Sequence, residues 1–433
     1  MAQQPRPLDP QSSPQAFFGA TVRAWRTRRA LSLAQLGQVV HVSGDLLGKI
    51  EKAQRRALPD LVEALDKALG ARGEVSRAGQ ACGDHGSRTR ATGDAVAAGC
   101  RPAGVAALAG LRAVVLGGPF PLDSAEPAGR APTMAGQMLS LEDVAALWRE
   151  YQASRFDEVA SKVPAVLIQA HTDLRLADAP AGHREAARIL AWTYHLAAAI
   201  ATKLGGRDLA WVCADRGLLA AQGSEDPQVL ASLLRGLAHV QLAGGNHVAA
   251  ADLVSRTVDR FSPVLDGDPV GCCLLGSLHL VGAMAAARGG DAPQAWTSLR
   301  WAQGLAERLG HDANHAWTAF GPTNLAVHEL SVAVELDDLD AATAYVHQID
   351  TSPLPIERRV RHTLEQARVL TLIGNDLDGV HLVHTAARLA PAHVRHHYLT
   401  HELLGAWARR PGPARDAASD LARRLDRLQG AHR

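Results

Sequence analysis

The sequence predicts an all-α protein with a small N-terminal helix-turn-helix domain and, after it, a long α-solenoid of paired helices. Two observations favour this class. Apolar residues make up 47% of the 433 residues but aromatic residues only 4%, and much of the apolar content is alanine. Small side chains suit helices that pack closely on helices, whereas a β-sandwich needs β-branched and aromatic surface. From residue 139 onward the apolar residues recur at helical spacing, without a convincing alternation typical of strands.

Composition divides the chain into four segments. Residues 1–15 are polar and proline-rich and predict a disordered arm, whereas residues 16–70 are dense in helix signals and predict the helix-turn-helix domain. Residues 71–138 are rich in Gly, Ala, Arg and Pro, which predicts a partly disordered linker with one weak helix at 103–116. Residues 139–430 predict the helical repeat domain.

The signals of the N-terminal domain are concentrated at residues 31–70. Ser32 is positioned to cap one helix, with Gln35 completing a capping box, and Ser43 is positioned to cap the next. Gly37 removes side-chain bulk where these two helices must cross. The predicted core positions are Leu33, Leu36, Val40, Leu47, Ile50, Leu61, Leu65 and Leu69. Two short helices, a tight turn and a supporting helix make a helix-turn-helix.

The C-terminal region repeats a phrase in which a polar turn leads into an apolar helix. The phrases begin at residues 154, 206, 245, 290, 337 and 374. Ala250, Ala295 and Ala341 recur where the two helices of a pair must approach closely. A two-helix unit cannot bury its own apolar face, so such units stack into a superhelix. The pattern resembles the tetratricopeptide repeat family, with spacings of 37 to 52 residues that imply elongated repeats; the alternative is an irregular all-α domain.

Residues 16–70 resemble the xenobiotic-response-element, lambda-repressor-like class of helix-turn-helix regulators. The resemblance rests on Leu31-Ser32, Leu36-Gly37, Val42-Ser43, Leu47, Ile50-Glu51 and Arg55-Arg56. It implies that double-stranded DNA is the partner and that the helix at 43–52 enters a major groove. Leu33 replaces a Gln that is common in the class, and His41 occupies a turn position usually held by Gly. Gly44 and Asp45 stand where larger polar residues are common.

The resemblance assigns DNA contacts to the second and third helices and to the residues that flank them. The candidate DNA-binding residues are Arg28, Arg29, Ser32, Ser43, Gly44, Asp45, Gly48, Lys49, Arg55 and Arg56. Lys49 is the best candidate for a base or phosphate donor, and the four arginines are expected to contact phosphates unless they form a solvated face. Asp45 either accepts a hydrogen bond from cytosine or serves only the helix dipole. Residues 1–75 carry eleven basic and seven acidic residues, whereas the whole chain has a net charge of only +1.

The whole architecture resembles the helix-turn-helix plus tetratricopeptide regulators abundant in actinobacteria. Besides the N-terminal domain and the linker, the resemblance rests on LWREYQ at 147–152 and FGPTNLAVHELSVA at 320–333. It implies a cytoplasmic, homodimeric transcription regulator whose repeat domain senses a small ligand, a peptide or a protein partner. The candidate ligand-binding residues are Trp317, Asn324 and His328; alternatively, Asn324 caps a helix. The alternative function is a protein-interaction scaffold with a vestigial or protein-docking helix-turn-helix.

Other classes of site find little support in the sequence. Neither a nucleophile elbow nor a phosphate-binding or dinucleotide-binding loop is present, so we expect neither an enzyme nor a cofactor. A histidine cluster without a Cys or carboxylate to complete a ligand set predicts neutral side chains on an exposed terminal helix and no metal. Its members are His393, His396, His397 and His401. The five Cys form no C-x-x-C pair, in keeping with a reducing cytoplasm. The apolar run 105–117 is shorter than the roughly 20 residues that span a bilayer, and we expect no membrane partner.

Overall fold

The computed structural model describes residues 14–53, 55, 57, 59–71, 73–79, 107–117, 138–346, 348–410 and 412–430. They fall into two compact units that divide between residues 99 and 100. The regular elements among the described residues are helices, apart from one antiparallel bridge between Ala313 and Phe320. The predicted all-α class, a helix-turn-helix followed by helical repeats, is therefore confirmed.

The N-terminal unit is a cluster of short helices. In chain order they are α1 (Pro14–Arg28), α2 (Leu33–Val39), α3 (Gly44–Glu51), α4 (Pro59–Leu69) and α5 (residues 74–79). Six of the predicted core residues are buried, namely Leu36, Val40, Leu47, Ile50, Leu65 and Leu69. Leu33 and Leu61 pack at the edge of the same cluster, which Phe18 and Val22 of α1 complete. The helical spacing of apolar residues thus identifies this core correctly.

The N-terminal unit extends beyond the boundary predicted at residue 70. Val75 and Ala78, in the stretch predicted as linker, are buried in the same core. The Asp66 carboxylate accepts hydrogen bonds from the N–H groups of Gly73, Val75 and Ser76 at 2.9–3.1 Å, and so caps the start of α5. One carboxylate and two apolar contacts thus anchor a segment whose composition alone suggests flexibility.

The C-terminal unit is an array of helix pairs preceded by α6 (Ala109–Gly117). The pairs are α7 (Leu141–Gln152) with α8 (Phe156–Leu176), α9 (Pro180–Lys203) with α10 (Arg207–Ser224), α11 (Pro227–Ala243) with α12 (His247–Leu265), α13 (Pro269–Gly289) with α14 (Ala292–Leu309), α15 (Pro322–Glu335) with α16 (Leu339–Tyr345), and α17 (Ile356–Leu372) with α18 (Asp376–Leu389). They are followed by α19 (Pro391–His396), α20 (Tyr398–Ala408) and α21 (Pro413–Gly430). The weak helix predicted in the linker is α6, and its Leu111 and Val115 are buried in the core of the array.

The same backbone turn joins the two helices of each pair. The turn residues with a positive φ, between 57° and 87°, are Ser154, Gly205, Gly245, Gly290, Asp337 and Gly374. The N–H group that follows each of them donates to the carbonyl five residues earlier; the bond from Gly206 N–H to Ala201 O measures 2.8 Å. This helix ending requires one left-handed residue, a conformation that glycine adopts without steric cost. Recurrence of one turn through the array favours repeated helix pairs over an irregular all-α domain.

A buried small residue lies five positions after several of these turn residues. Ala250 and Ala295 are there, as predicted, with no exposed surface. In the fifth pair the fully buried residue is Ala342, so the prediction of Ala341 is wrong by one position. Counting from the left-handed residue Asp337 gives the correct register, because the turn fixes where the second helix begins.

The array closes on itself. The first helices of successive pairs contact one another in an inner layer, and α17 of the last pair returns to contact α7 of the first. Lys203 at the end of α9 forms an ion pair with Glu357 of α17. Ser154, in the first turn, has its Oγ 3.2 Å from Nδ1 of His393 in α19. In the described part of the array, the concave side is therefore an enclosed interior.

The histidines near the C-terminus do not share one exposed helix. The α19 helix ends at His396, and His397 then caps α20 by accepting a hydrogen bond at Nδ1 from Leu399 N–H. His393 is only 1% exposed and lies against the Phe156 ring, with the ring centroids 5.0 Å apart. The prediction of an exposed terminal helix is wrong, because closure of the array covers this segment.

Among the described residues, one helix is long and apolar enough to cross a membrane by length and composition. This helix is α13, and 89% of the apolar stretch is buried inside the protein. Apolar residues on all sides are typical of a helix at the centre of a core. Gly276 of α13 makes room for Phe320, since a Cβ there would lie 2.0 Å from the ring. The apolarity of α13 thus serves packing within the array.

Acid is expected to destabilise the array through its buried histidines. Burial is the main cause that lowers the pKa of His328 and of His393 to about 3, whereas an unfolded histidine titrates near pH ~6.5. Between these values the unfolded chain binds protons that the folded chain does not. The free energy of unfolding therefore falls as the pH decreases from about 6.5, by up to about 1.4 kcal/mol per pH unit for each such histidine. Thermal unfolding of the full chain at a series of pH values measures this effect as a falling Tm.

An exposed histidine supplies the control for this measurement. His183 lies on the surface of α9, so His183→Gln should leave the pH dependence of Tm unchanged, whereas His328→Gln should flatten it. A Tm that stays constant between about pH 6.5 and pH 5 would contradict the account of neutral, buried histidines.

Candidate nucleic-acid interface

Two serines set the starts of α2 and α3. Ser32 Oγ accepts a hydrogen bond from Gln35 N–H at 3.1 Å, and Gln35 Oε1 accepts one from Ser32 N–H at 2.8 Å, which confirms the predicted capping box. Ser43 Oγ accepts a hydrogen bond from Leu46 N–H at 3.1 Å. Both serines are exposed and use their oxygens as acceptors. Each hydroxyl therefore retains a proton that it can donate to a phosphate.

The turn between α2 and α3 holds the two helices in close contact. His41 has a φ of 56°, the left-handed conformation expected for a position usually held by Gly. A Cβ on Gly37 would lie 2.5 Å from Val42 O, and a Cβ on Gly44 would lie 3.1 Å from Ala34 N. The prediction that Gly37 removes bulk at the crossing is confirmed, and Gly44 does the same from the side of α3.

The outward face of α3 is narrower than the sequence predicts. Gly48 is buried, and a Cβ at this position would lie 3.4 Å from Leu33 Cδ1. Gly44 is half-buried against α2. Both glycines, candidate DNA contacts in the sequence, instead provide the space in which α2 lies against α3. Asp45 and Lys49 remain exposed on the outer face.

Asp45 and Lys49 form an ion pair one helical turn apart. The Nζ of Lys49 lies 3.3 Å from Oδ2 of Asp45, and the two side chains are 50% and 78% exposed, respectively. So exposed a pair contributes little to stability. The Lys49 ammonium can therefore exchange the carboxylate for a phosphate or a base acceptor at low cost.

The four candidate arginines occupy different environments. Arg55 is exposed. Arg28 is also exposed, and its guanidinium carbon lies 5.3 Å from the centroid of the Trp25 ring. Arg29 donates from Nε to the last carbonyl of α4 at 2.9 Å, which ties α1 to α4. Arg56 lies outside the described residues. Arg28 and Arg55 thus present their charge to solvent, whereas Arg29 also has a structural contact within the unit.

The structure contains a buried ion-pair cluster that fixes α1 on α3 and that the sequence does not predict. Glu51, the last residue of α3, is only 2% exposed. Its carboxylate accepts hydrogen bonds from Arg26 at 2.5 and 2.9 Å and from Arg23 Nε at 3.4 Å. Arg23 also donates to the backbone carbonyl of Glu51 at 3.0 Å. The one signal in the sequence is the spacing of Arg23 and Arg26 on one helical face, which in an arginine-rich stretch does not distinguish them from their neighbours.

Further exposed polar residues border the same surface. Gln38 and His41, together with Ser43, line a shallow depression of about 610 Å³ beside the turn. Lys52, which follows α3 directly, is exposed as well. Sequence analysis omits these residues from the site, although the inward position of Leu36 implies that Gln38 faces outward. They widen the polar surface that α2 and α3 offer to a partner.

The three candidate ligand-binding residues lie in the enclosed interior of the array. Asn324 and His328 are 1% and 4% exposed, respectively. The Trp317 ring stacks on Trp148 with centroids 5.2 Å apart and 8° between the planes. It also meets Trp192 edge-on at 4.7 Å. The structure therefore gathers these residues inside the array rather than along an open groove.

Asn324 does not cap α15, so the alternative interpretation of this residue is wrong. The N-cap of α15 is Gly321, which places Asn324 third in the helix. The Asp312 carboxylate takes the capping role, since it accepts hydrogen bonds from Thr323 N–H at 3.0 Å and from Thr323 Oγ1 at 2.6 Å. The Oδ1 of Asn324 is buried and has no hydrogen-bond partner among the described residues.

Comparison with known proteins agrees with this geometry. Residues 18–78 match a family model described as a helix-turn-helix domain. The match begins within α1 and ends within α5, and it supports the resemblance of this unit to the xenobiotic-response-element, lambda-repressor-like class. No curated protein matches the chain. Because the helix-turn-helix is a DNA-binding fold, the chain is a DNA-binding regulator in general terms.

Removing the Glu51 carboxylate is expected to destabilise the N-terminal unit. Glu51→Gln removes the buried counter-charge of Arg23 and Arg26. This loss should lower the free energy of unfolding of the unit by about 3 kcal/mol. Hydrogen exchange of the α1 and α3 amides in the full chain should accelerate by roughly a hundredfold. Asp45→Asn is the matched control, because it breaks only an exposed pair worth about 0.5 kcal/mol. Equal exchange rates in the two variants would contradict the role assigned to Glu51.

Proposed function

We propose that this chain is a sequence-specific transcription regulator that binds double-stranded DNA through α3. The observation that carries the proposal is the α2–turn–α3 unit, in which Lys49 and the capping residues Ser32 and Ser43 are exposed. Proteins with this motif place the second of the two helices in the major groove. The helix-turn-helix match over residues 18–78 supports DNA binding, and the specific reading of sequence by α3 is the step that we add.

In this proposal phosphates supply most of the affinity, and α3 supplies the discrimination between sequences. Arg28 and Arg55 contact phosphates, and the free hydroxyl protons of Ser32 and Ser43 donate to the same strands. Lys49 leaves Asp45 for a base edge or a phosphate. Asp45 serves the positive end of the α3 dipole and holds Lys49 in place while DNA is absent.

We extend the proposal to a homodimer that is held through the array. A helix-turn-helix dimer contacts two half-sites about 10 base pairs apart or a multiple of that distance. Three successive outer helices expose large apolar side chains. They are Trp211 and Leu219 of α10, Val248 and Val264 of α12, and Trp301 of α14. Apolar side chains exposed in such groups are typical of protein contacts, which supports the outer layer as the dimer surface.

The array, in this proposal, is a tetratricopeptide-like domain of the actinobacterial type that senses a ligand or partner and catalyses no reaction. The recurrent turn supports the assignment to repeats. The enclosed interior favours a small ligand over a peptide or a protein, because only a small molecule can enter it and contact the residues that line it. Such a ligand changes DNA binding if it binds one arrangement of the dimer better than the other.

A protein-interaction scaffold is the second candidate. Gly44 and Gly48 face α2. Lys49, the main donor on the outer face of α3, is paired with Asp45. Because α3 exposes few hydrogen-bond donors for base contacts, this candidate has a helix-turn-helix that no longer binds a specific DNA sequence or that docks a protein instead. DNA binding by charge-altered variants separates the two candidates.

Charge reversal at Arg55 is expected to weaken DNA binding. Arg55→Glu should lower the affinity for DNA upstream of the chain's own gene by at least about tenfold, and should reduce the slope of log affinity against log salt by about one for the lost phosphate contact. Lys49→Ala should reduce the preference for that DNA over unrelated DNA. Fluorescence anisotropy titrations at several salt concentrations measure both quantities. Arg415→Glu on the exposed face of α21, away from the proposed dimer surface, is the matched control and should bind like the unaltered chain.

Two results would count against the regulator. Unchanged affinity and salt dependence in Arg55→Glu would remove the assigned phosphate contact. If the unaltered chain shows no preference for any DNA but retains binding to protein partners, the scaffold becomes the better account.

A further inference from the structure

The inner layer of the array gathers an excess of positive charge. Lys203 of α9 and Arg358 of α17 share one carboxylate, Glu357, which forms an ion pair with Lys203 and lies 3.3 Å from Arg358. Arg235 of α11 and Arg361 of α17 belong to the same interior. Among the described residues, no carboxylate lies within 4.0 Å of the Arg235 or Arg361 guanidinium. Lys203 and Arg358 therefore share one interior carboxylate, whereas Arg235 and Arg361 have none within ion-pair distance.

Arg235 is the least satisfied of these cations. Arg235 is only 5% exposed, and its buried Nε has no hydrogen-bond partner among the described residues. Burial, followed by the charge of Arg358, lowers the pKa of the Arg235 guanidinium to about 10. A buried cation without a counter-ion is costly, and arginines are otherwise paired when they are buried. The residues around Arg235 thus provide no counter-ion for its charge.

The other acidic residue nearby does not fill this gap. Glu365 lies one helical turn after Arg361 on α17, but its closest ion pair is with Arg368, at 3.7 Å. Burial, and then the charges of Arg235, Arg358 and Arg361, lowers the pKa of His239 far below its usual value. The three arginines therefore lie near enough to His239 of α11 to disfavour its protonation.

Aromatic rings form a wall of the same interior. Trp148 and Tyr151 of α7 have ring centroids 5.4 Å apart, and the Trp148 ring lies 5.0 Å from the ring of His195. A Cβ on Gly236, the residue after Arg235, would lie 2.8 Å from the His195 ring. The His195 ring therefore packs between the Trp148 ring and the backbone of α11 beside Arg235. Flat apolar surface beside guanidinium groups is the combination that binds an organic anion.

We propose that the interior of the array binds a small organic anion, in which a flat apolar group carries a carboxylate or a phosphate. Arg235, Arg358 and Arg361 hold the charged group, since guanidinium groups match both kinds of anion bidentately. The half-buried Tyr151 ring contacts the flat group, with the buried Trp148 ring packed against it. The inference names the ligand class of the sensing role and rests on that proposed function.

Benzoate and phenyl phosphate are the probes, tested on the full chain without DNA. One or both should raise Tm and change the fluorescence of the stacked interior tryptophans, and the tighter of the two identifies the preferred charge. Uncharged benzyl alcohol should do neither. Inorganic phosphate should bind more weakly than phenyl phosphate, because it lacks the group that contacts the aromatic wall.

Arg235→Met separates a ligand-binding role from a structural one. Replacing an unpaired buried cation with an apolar side chain should raise the Tm of the free protein by ~2–4 °C. The same change should raise the dissociation constant for the anionic probe by at least about tenfold. Arg361→Met, at a half-buried position, should also weaken the probe, and the exposed Arg300→Met should alter neither quantity.

Three results would overturn the inference. They are the absence of any response of the unaltered chain to either anion, an unchanged response in both Arg235→Met and Arg361→Met, and equal affinities for phenyl phosphate and inorganic phosphate. All three are measured without DNA. Failure of the anion proposal therefore does not affect the test of DNA binding by Arg55→Glu. Loss of DNA binding by Arg55→Glu, in turn, does not depend on whether an anion enters the array.

Discussion

The architecture of the array depends on the buried ion pair between Lys203 and Glu357. It joins the second helix pair to the sixth across 154 residues of chain, and Arg358 adds a second cation to the same carboxylate. Burial alone would raise the pKa of Glu357, but Arg358 and Lys203 hold it well below its usual range. A carboxylate at such depth persists only with cations around it. This requirement ties α17 to the start of the array and turns a concave surface into an interior.

Closure explains features that otherwise look unrelated. It covers His393, keeps His328 neutral, and encloses the stack of Trp148 and Trp317. It also places cations in an interior with few carboxylates, and in the proposed sensing role the ligand supplies the missing anion. The N-terminal unit uses the same physical device on a smaller scale, since Glu51 between two arginines fixes α3 on α1. There the two arginines are only partly buried, so that solvent screens their excess positive charge, and the exposed face of α2 and α3 is left for a nucleic acid.

Local features of this fold are predictable from the sequence, whereas its long-range contacts are not. Caps at Ser32 and Ser43, the left-handed turn at His41 and the core of the N-terminal unit follow from residue type and helical spacing, because each involves neighbours along the chain. The position of Gly48 against α2 is not predictable, because glycine has no polarity that indicates which face of a helix it occupies. The cations of the interior come from helices far apart in sequence, and Glu357 is one of 44 acidic residues without a local signature. Closure, and with it the interior in which we propose a ligand site, therefore emerges only from the structure.

A double-mutant cycle between Lys203 and Glu357 tests closure most directly. The free energy of unfolding of the full chain is measured for Lys203→Met, for Glu357→Gln and for the double variant. If the array closes as described, the two changes are strongly non-additive, with a coupling energy of about 2 kcal/mol. Glu357→Gln alone leaves Lys203 buried without its counter-charge, and Lys203→Met in the double variant removes that cost. Additivity within about 0.5 kcal/mol would mean that the two residues do not meet in solution. The array would then be open, and an enclosed interior would no longer explain its buried cations.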